Sequence, residues 1–324
     1  MTDRHFDVLV LGAGVVGLTS AICLAEAGMR VAVQAARQPA ATTSVAAGAL
    51  WGMHLVGADD RVPRWAGETR EVLATLDLAA GVHACDGLMA TVTAMDAPPE
   101  ATGGTGYVPC DPGELPPGYA TGWRVAAAPL IAMPAYLRYL AGRLHAAGGV
   151  MLSQRTFASL AEVAAAHPAA SVIVSCPGAG ARALVPDSSV TAVRGQAVVA
   201  ANPGITEFFV GTGADPDEIS YVFPHGDTVV LGGTQEHGNW NLAADPATAD
   251  RILSAAAAVD PRLAGVTVLE HRVGLRPVRP HVRLEAEAVS GDRYVIHNYG
   301  HGGAGVSLSW GCGREAARLA LAVR

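Results

Sequence analysis

The sequence predicts an α/β protein that begins with a nucleotide-binding unit. Residues 6–11 form a short apolar run typical of a buried strand, and a glycine cluster follows at 12–17. Residues 15–27 then have the pattern of a helix closed by Gly28, and a second strand is predicted over 30–33. This order of strand, turn, helix and strand makes the Gly-x-Gly-x-x-Gly match informative, because the same glycines alone occur in ordinary tight turns.

Further strands and helices are predicted along the rest of the chain. Apolar residues at helical spacing predict a helix over 133–144, and residues 171–176 are typical of a buried strand. The runs 219–223 and 228–231 flank a turn that reads His-Gly-Asp, which predicts a hairpin. A short helix is predicted over 313–323, after a second glycine cluster. The mixture of both elements supports the α/β class.

Composition indicates a compact enzyme and disfavours several other classes. The chain has 324 residues, of which 50% are apolar and 16% are charged, so it has ample material for a core. A net charge of −7 disfavours a nucleic-acid partner. Apolar stretches fall well short of the roughly 20 residues that a membrane helix needs, and no secretory or sorting signal is evident. We therefore expect a cytoplasmic protein.

No metal site is predicted. The five cysteines are scattered without a Cys-x-x-Cys pair, which is typical of buried, reduced thiols. His297 and His301 lie four residues apart, a spacing that suits a metal pair on a helix. Because Gly300 lies between them and disfavours a helix, structural histidines are the preferred interpretation.

The first glycine cluster is predicted to hold a pyrophosphate. Gly12 suits the tight turn, Gly14 lets the backbone approach the phosphates, and Gly17 lets the helix pack closely on the strand. The free amides at the positive end of the helix then bind the anion. The predicted contacts from this turn are Gly12, Ala13, Gly14, Val15, Val16 and Gly17.

The end of the second strand lacks an expected group. A carboxylate usually accepts hydrogen bonds from the ribose there, whereas residues 34–37 read Gln-Ala-Ala-Arg. Gln34 can accept such a bond more weakly, and Arg37 would suit the 2′-phosphate of NADP. NADP does not account for the glycine cluster near the C-terminus, however. Two glycine-rich elements at opposite ends of the chain favour one large cofactor held from both sides.

Several blocks resemble the D-amino-acid oxidase family of FAD enzymes. The most specific reads His-Asn-Tyr-Gly-His-Gly-Gly-Ala-Gly at 297–305, and Gly-Leu-Arg-Pro at 274–277 is moderately specific. The remaining blocks lie at 42–48, 193–196, 232–234, 238–240 and 310–312. All appear in family order, so the resemblance covers residues 6 to about 320.

The resemblance implies two interleaved domains. A Rossmann-like FAD-binding domain is expected from residues 1–54, 127–186 and 283–324. A mainly antiparallel substrate-binding domain is expected from residues 55–126 and 187–282.

The resemblance also implies three substrate contacts. The guanidinium of Arg276 would clamp a carboxylate through two parallel donors, which the ammonium of a lysine cannot do. The hydroxyl of Tyr221 would donate a second bond to that carboxylate. The backbone carbonyl of Gly303 would accept from the substrate amine, and a glycine suits such a close backbone approach.

Further cofactor contacts follow from the same resemblance. Some would pack and hydrogen-bond along the phosphates and the ring, namely Thr42, Thr43, Gly48, Leu50 and Trp51. Backbone amides of another group would face the pyrimidine edge of the flavin, namely Gly302, Gly305, Val306 and Ser307. The N-terminus of the helix that follows would stabilise negative charge there.

The implied activity is FAD-dependent oxidative deamination of D-amino acids. Hydride would pass from Cα to flavin N5, and dioxygen would reoxidise the flavin, giving a 2-oxo acid, ammonia and hydrogen peroxide. Alternatives are an oxidase of acidic D-amino acids with Arg272 as the extra cation, a glycine-type amine oxidase, and a quinone-linked dehydrogenase. Because the ribose carboxylate is missing, a non-catalytic flavin-binding protein is a further alternative. A homodimer is one possible oligomeric state.

The segment 204–220 departs from the family pattern. It corresponds to the variable lid over the active site, is slightly short, and has Asp217 near the place of a second lid tyrosine. Ala304 replaces a bulkier residue common in relatives. A short lid predicts easier product release.

Overall fold

A single sheet organises the molecule. The structure, a computed structural model, describes residues 6–95, 106–215, 217–290 and 292–324. Within these ranges the sheet has 14 strands. The strands are β1 (Val8–Leu11), β2 (Val31–Gln34), β3 (Val82–Thr91), β4 (Tyr107–Pro109), β5 (Thr121–Ile131), β6 (Val150–Met151), β7 (Val172–Ser175), β8 (Thr191–Ala201), β9 (Phe208–Thr212), β10 (Ile219–His225), β11 (Thr228–Gly232), β12 (Glu236–His237), β13 (Val268–Ser290) and β14 (Arg293–His301). The helices are α1 (Val15–Glu26), α2 (Val62–Leu73), α3 (Met133–Ala146), α4 (Leu160–Ala166), α5 (Ala181–Leu184), α6 (Pro246–Val259) and α7 (Gly305–Ala322).

Five strands form a parallel section in the order β14, β7, β1, β2 and β6. Alternate residues of β1 enter two different apolar clusters, one with Val8 and Val10 and the other with Leu9 and Leu11. Both faces of β1 are therefore buried, which explains its continuous apolar run. The first glycine turn leads directly from this strand into α1.

The remaining strands form a mainly antiparallel section. β10 pairs with β9 and β11, β8 pairs with β11 and β13, and β3 pairs with β5, all antiparallel. The exception is the parallel pair of β3 and β9. The long β13 pairs first with β8 and then with β14, so it joins the two sections. The predicted fold class and the predicted hairpin, formed by β10 and β11, are confirmed.

The predicted helix over 313–323 is too short. α7 begins at Gly305, directly after the second glycine cluster. A Cβ on Gly311 would overlap the backbone of Trp65 in α2, and one on Gly313 would lie 3.1 Å from the backbone of Thr19 in α1. These glycines therefore allow close packing between helices instead of ending one.

The thiols and helices bear on the predictions from composition. All five cysteines are free, and Cys85, Cys176 and Cys312 are buried. Burial raises the pKa of Cys176 to about 12, so this thiol stays protonated and unreactive. In the part of the chain that the structure describes, no helix is both long and apolar enough to cross a membrane.

Candidate active site

A cavity of about 860 Å³ lies where β1, β2 and β7 end, and residues of the antiparallel section form its other wall. Ligands of open α/β sheets bind at such carboxyl ends. Both glycine clusters line the cavity, although they are at opposite ends of the sequence. None of the described residues that line it is an aspartate or a glutamate. The cavity can therefore accept an elongated, anionic ligand.

The structure brings nearly all predicted contacts to this cavity. Those that line it are Gly12, Ala13, Gly14, Val15, Val16, Gly17, Gln34, Arg37, Thr42, Thr43, Gly48, Leu50, Tyr221, Arg276, Gly302, Gly303, Gly305, Val306 and Ser307. Trp51 does not line it, although Gly52 and Met53 do. The Trp51 side chain is instead 6% exposed, in the core with α1 and α7.

The first turn has room only for glycines. Gly12 has a φ of 108°, and a Cβ there would overlap the carbonyl oxygen of Cys176. A Cβ on Gly17 would overlap the carbonyl of Gly12. α1 has no side-chain cap at Gly14, but Ser44 Oγ accepts from the amide of Val15 at 3.0 Å. Sequence reasoning missed this serine, which steadies the start of the helix.

The wall after β2 differs from the sequence prediction in its partners. Gln34 Nε2 donates to the carbonyl of Ser153 at 3.0 Å, and Gln34 Oε1 lies 2.7 Å from His167 Nε2. The Gln34 amide is therefore already engaged by the protein at both ends. Arg37 and Arg155 also line this region, and no motif in the sequence pointed to Arg155.

The second glycine cluster lies against residues 52–55. Gly302 has a φ of 56°, and a Cβ there would overlap the carbonyl of Leu55. The amide of Gly303 donates to the carbonyl of His54 at 2.9 Å. Ser307 Oγ, in the first turn of α7, accepts from the amide of Gly52 at 2.9 Å. These contacts fix the N-terminus of α7, which has no side-chain cap, at the cavity wall.

Arg276 presents a partly buried cation to the cavity. Its Nη1 donates to the carbonyl of Thr234 at 2.9 Å, and its guanidinium lies over Gly195, where a Cβ would be 2.5–2.7 Å from it. Burial lowers the pKa of Arg276, and nearby Tyr221 opposes this. Among the described residues, no carboxylate forms an ion pair with it. A ligand carboxylate would supply the missing negative charge.

Tyr221 is held rigidly beside this cation. Its ring stacks on Phe223 with centroids 4.6 Å apart, and its side is pressed against Gly232 and Gly233. Burial raises the pKa of Tyr221, an effect that Arg276 partly opposes. The phenol therefore stays protonated at neutral pH and can donate a hydrogen bond.

His54 is a cavity residue that no sequence motif indicated. Burial and then the charge of Arg276 lower the pKa of His54 to about 4, against the effect of a hydrogen bond with Gln235. The imidazole is therefore neutral at physiological pH. A Cβ on Gly303 would overlap its ring. His54 thus forms an uncharged wall next to the glycine.

The two histidines of the C-terminal block have other surroundings. His297 Nε2 lies 3.0 Å from Glu287 Oε2, and His301 is buried, with a pKa lowered to about 4 by that burial. Both belong to β14, whose backbone does not place them on one helical face. No cluster of three metal-ligating side chains occurs within the described ranges.

Two residues singled out in the sequence lie outside the cavity wall. Arg272 forms an ion pair with Glu270 at 2.8 Å and does not line the cavity. Asp217, in the predicted lid, lies 3.1 Å from His237. Arg272 is already paired with a carboxylate and does not line the cavity, although its charge tends to lower the pKa of Tyr221. Asp217 carries a negative charge and cannot pair with an acidic substrate side chain.

Stability should fall on mild acidification. Burial lowers the pKa values of His54, His225 and His301 from 6.5 to about 4. Between these values the unfolded chain binds protons that the folded chain does not. The free energy of unfolding is therefore highest above pH 6.5 and falls towards pH 4, by up to about 1.4 kcal/mol per pH unit for each histidine.

Urea unfolding would measure this dependence at pH 7.5 and 5.0. The midpoint should be lower at pH 5.0, and His225→Gln should reduce the difference because one titrating group is removed. Equal midpoints at both pH values would contradict the assignment of buried neutral histidines.

The fold and the cavity define a class: oxidoreductases that hold a dinucleotide between a Rossmann-like unit and an antiparallel substrate-binding sheet. Residues 7–319 match the sequence model of a protein family described as DAO, FAD-dependent oxidoreductase. The chain belongs to this family, and the resemblance seen in the sequence is confirmed.

Similar proteins cover the chain almost completely. The D-amino-acid oxidase of Rubrobacter xylanophilus is 45% identical over 96% of this chain and 95% of its own. The D-amino-acid oxidase of Streptomyces coelicolor is 41% identical over 98% of both. The structure of glycine oxidase from Geobacillus kaustophilus has a TM-score of 0.79 at 17% identity, covering 98% of this chain and 95% of that one. At that identity the likeness concerns the fold alone.

Proposed function

We propose that the chain is an FAD-dependent oxidase of D-amino acids. The observation that carries this proposal is the partly buried, unpaired guanidinium of Arg276 in a cavity lined by both glycine clusters. The bacterial relatives at 45% and 41% identity bear the name D-amino-acid oxidase. A non-catalytic role is disfavoured, because Arg276 and Tyr221 are both in place.

The residues present fit FAD. The tight first turn and the N-terminus of α1, where the N-cap residue Gly14 has no side chain, would bind the pyrophosphate, since Gly12, Gly14 and Gly17 are positions that a side chain would fill. The uncapped N-terminus of α7, at Gly305, would face the flavin ring and favour negative charge. Arg37 would lie near the adenosine, and none of the described residues that line the cavity offers a carboxylate there.

The chain's own residues would bind and orient the substrate. Arg276 and Tyr221 donate to the α-carboxylate, and the carbonyl of Gly303 accepts from the α-amine. Fixing both groups leaves one enantiomer with its Cα hydrogen directed at the cofactor. Bound FAD would supply the hydride acceptor, and dioxygen would take up the electrons to give hydrogen peroxide. The imino acid released then hydrolyses to a 2-oxo acid and ammonia.

The cavity wall favours neutral side chains. Beside Tyr221 it is formed largely by apolar residues, including Leu50, Met89, Val210 and Ile219. The other described arginines that line the cavity, Arg37 and Arg155, lie next to the end of β2. An acidic substrate would bury its second carboxylate without a cation, which costs several kcal/mol. We therefore expect D-alanine and larger apolar D-amino acids to be better substrates than D-aspartate.

The domain division and the surroundings of the enzyme belong to the same proposal. The five strands of the parallel section, β14, β7, β1, β2 and β6, all lie in the segments 1–54, 127–186 and 283–324, which supports an FAD-binding domain built from them. The segments 55–126 and 187–282 would form the substrate-binding domain. We also propose that the enzyme acts in the cytoplasm, passes its electrons to dioxygen and forms a homodimer.

Replacing Tyr221 by phenylalanine should raise KM for D-alanine about tenfold, because a hydrogen bond to a charged group is lost while the stacked ring stays. Steady-state kinetics measure this. Tyr119→Phe serves as the control, since it also removes a phenol hydroxyl and Tyr119 does not line the cavity. An unchanged KM in Tyr221→Phe would remove the hydroxyl from the substrate site.

A spectroscopic titration tests the function itself. The purified protein with FAD should lose its visible flavin absorbance when D-alanine is added without oxygen, and L-alanine should leave it unchanged. With oxygen, peroxide should form with D-alanine faster than with D-aspartate. A flavin that no D-amino acid bleaches would refute the proposal, and a preference for D-aspartate would refute the substrate class.

A further inference from the structure

The orientation of Arg276 depends on one backbone carbonyl. Among the hydrogen bonds that the described residues form, one joins the Arg276 guanidinium to the protein. In it Nη1 donates to Thr234 O at 2.9 Å. Gly195 forms the floor below the guanidinium, where a Cβ would lie within 2.7 Å of three of its atoms. Gly195 blocks movement of the guanidinium towards β8, and the hydrogen bond to the Thr234 carbonyl then sets the direction in which the guanidinium points. The other N–H groups are left for a ligand.

The side chain of Thr234 fixes that carbonyl. Thr234 Oγ1 accepts from the amide of Gln196 at 2.9 Å and donates to Glu236 Oε1 at 3.2 Å. These bonds tie the residue to β8 on one side and to β12 on the other. Because the hydroxyl both accepts and donates a hydrogen bond, it restrains the backbone of Thr234, including the carbonyl.

A buried arginine holds the next link. Arg194 has 2% of its side chain exposed and forms an ion pair with Glu236. Its Nη2 donates to Gln196 Oε1 at 2.8 Å and to Ala243 O at 2.6 Å, and its Nε donates to Asn241 O at 2.8 Å. Because nearly every polar group in this cluster has a partner, the cluster is expected to be rigid.

We propose that Thr234 is a positioning residue for Arg276. Its hydroxyl anchors Thr234 to Glu236, which the ion pair with Arg194 holds in position. The Thr234 carbonyl is thereby fixed, and it aligns the Arg276 guanidinium with the substrate carboxylate. The inference rests on the proposed role of Arg276 in the oxidase. It predicts that the hydroxyl matters for substrates with a carboxylate and not for those without one.

Thr234→Val removes the hydroxyl at nearly constant volume, and Thr234→Ser keeps it. In the FAD-loaded enzyme, Thr234→Val should raise KM for D-alanine about tenfold with kcat changed less than about twofold. Thr234→Ser should stay within about twofold of the wild type. For D-alaninamide, in which a neutral amide replaces the carboxylate, KM should change less than about twofold in Thr234→Val. Thr234→Ala gives a second variant with the same expected pattern.

An equal rise in KM for both substrates would overturn the inference, because a general structural defect would then explain it. In an Arg276→Ala background, Thr234→Val should have no further effect on KM for D-alanine, and an additive effect would also overturn it. If Arg276→Ala itself leaves that KM unchanged, the proposed function fails together with the inference. If Arg276→Ala raises it and Thr234→Val does not, the inference alone fails.

Discussion

Replacing Arg276 by alanine should lower kcat/KM for D-alanine by about a thousandfold. The substrate carboxylate would lose its only cationic partner among the described cavity residues around Tyr221, in a place with little solvent. Truncating one side of a buried charge pair costs about 2–5 kcal/mol, and three factors of ten lie within that range. Steady-state kinetics with D-alanine measure the loss, which should appear mainly in KM.

Two matched variants make this result specific. Arg276→Lys keeps the charge but not the pair of parallel donors, so it should restore only part of the activity. Arg272→Ala removes an arginine four residues earlier in β13 that pairs with Glu270 and does not line the cavity. It should change kcat/KM less than about threefold. A larger loss in Arg272→Ala than in Arg276→Ala would show that the carboxylate binds Arg272, and would contradict its assignment to Arg276.

Local pattern was sufficient for the elements around the first turn. The apolar run before Gly12 and the glycine spacing after it predict β1 and α1 because both depend on near neighbours in the chain. The site required more than local pattern. Arg276 lies in one strand, whereas its partner Thr234 lies 42 residues earlier, and only the resemblance to a family singled out this arginine.

Other parts of the site have no local signature. His54 follows an unremarkable Gly-Met pair, and its position beside Gly303 depends on a contact between distant segments. The Gln34 amide was expected to face a ribose, but its partners Ser153 and His167 come from a later part of the chain. The predicted helix over 313–323 begins too late, because the use of Gly311 and Gly313, close packing on α2 and α1, is visible only in three dimensions.

Replacing Gly17 by alanine should sharply reduce FAD binding and stability. The new Cβ would overlap the backbone carbonyl of Gly12, so α1 must move away from the turn that is proposed to hold the pyrophosphate. Backbone cannot give way as the end of a flexible side chain can. We expect an FAD affinity about a hundredfold lower and a Tm lower by at least about 5 °C. Flavin fluorescence and thermal unfolding measure the two effects.

Gly142→Ala is the matched control for this variant. Gly142 also lies inside a helix, α3, but a Cβ there would meet nothing within 4 Å. Alanine favours a helix over glycine by about 1 kcal/mol, so this variant should have the wild-type affinity for FAD and an equal or higher Tm. The two substitutions add the same methyl group in the same backbone conformation, and only the space around it differs. If Gly17→Ala behaved like Gly142→Ala, the close approach of α1 to the first turn would not be what holds the cofactor.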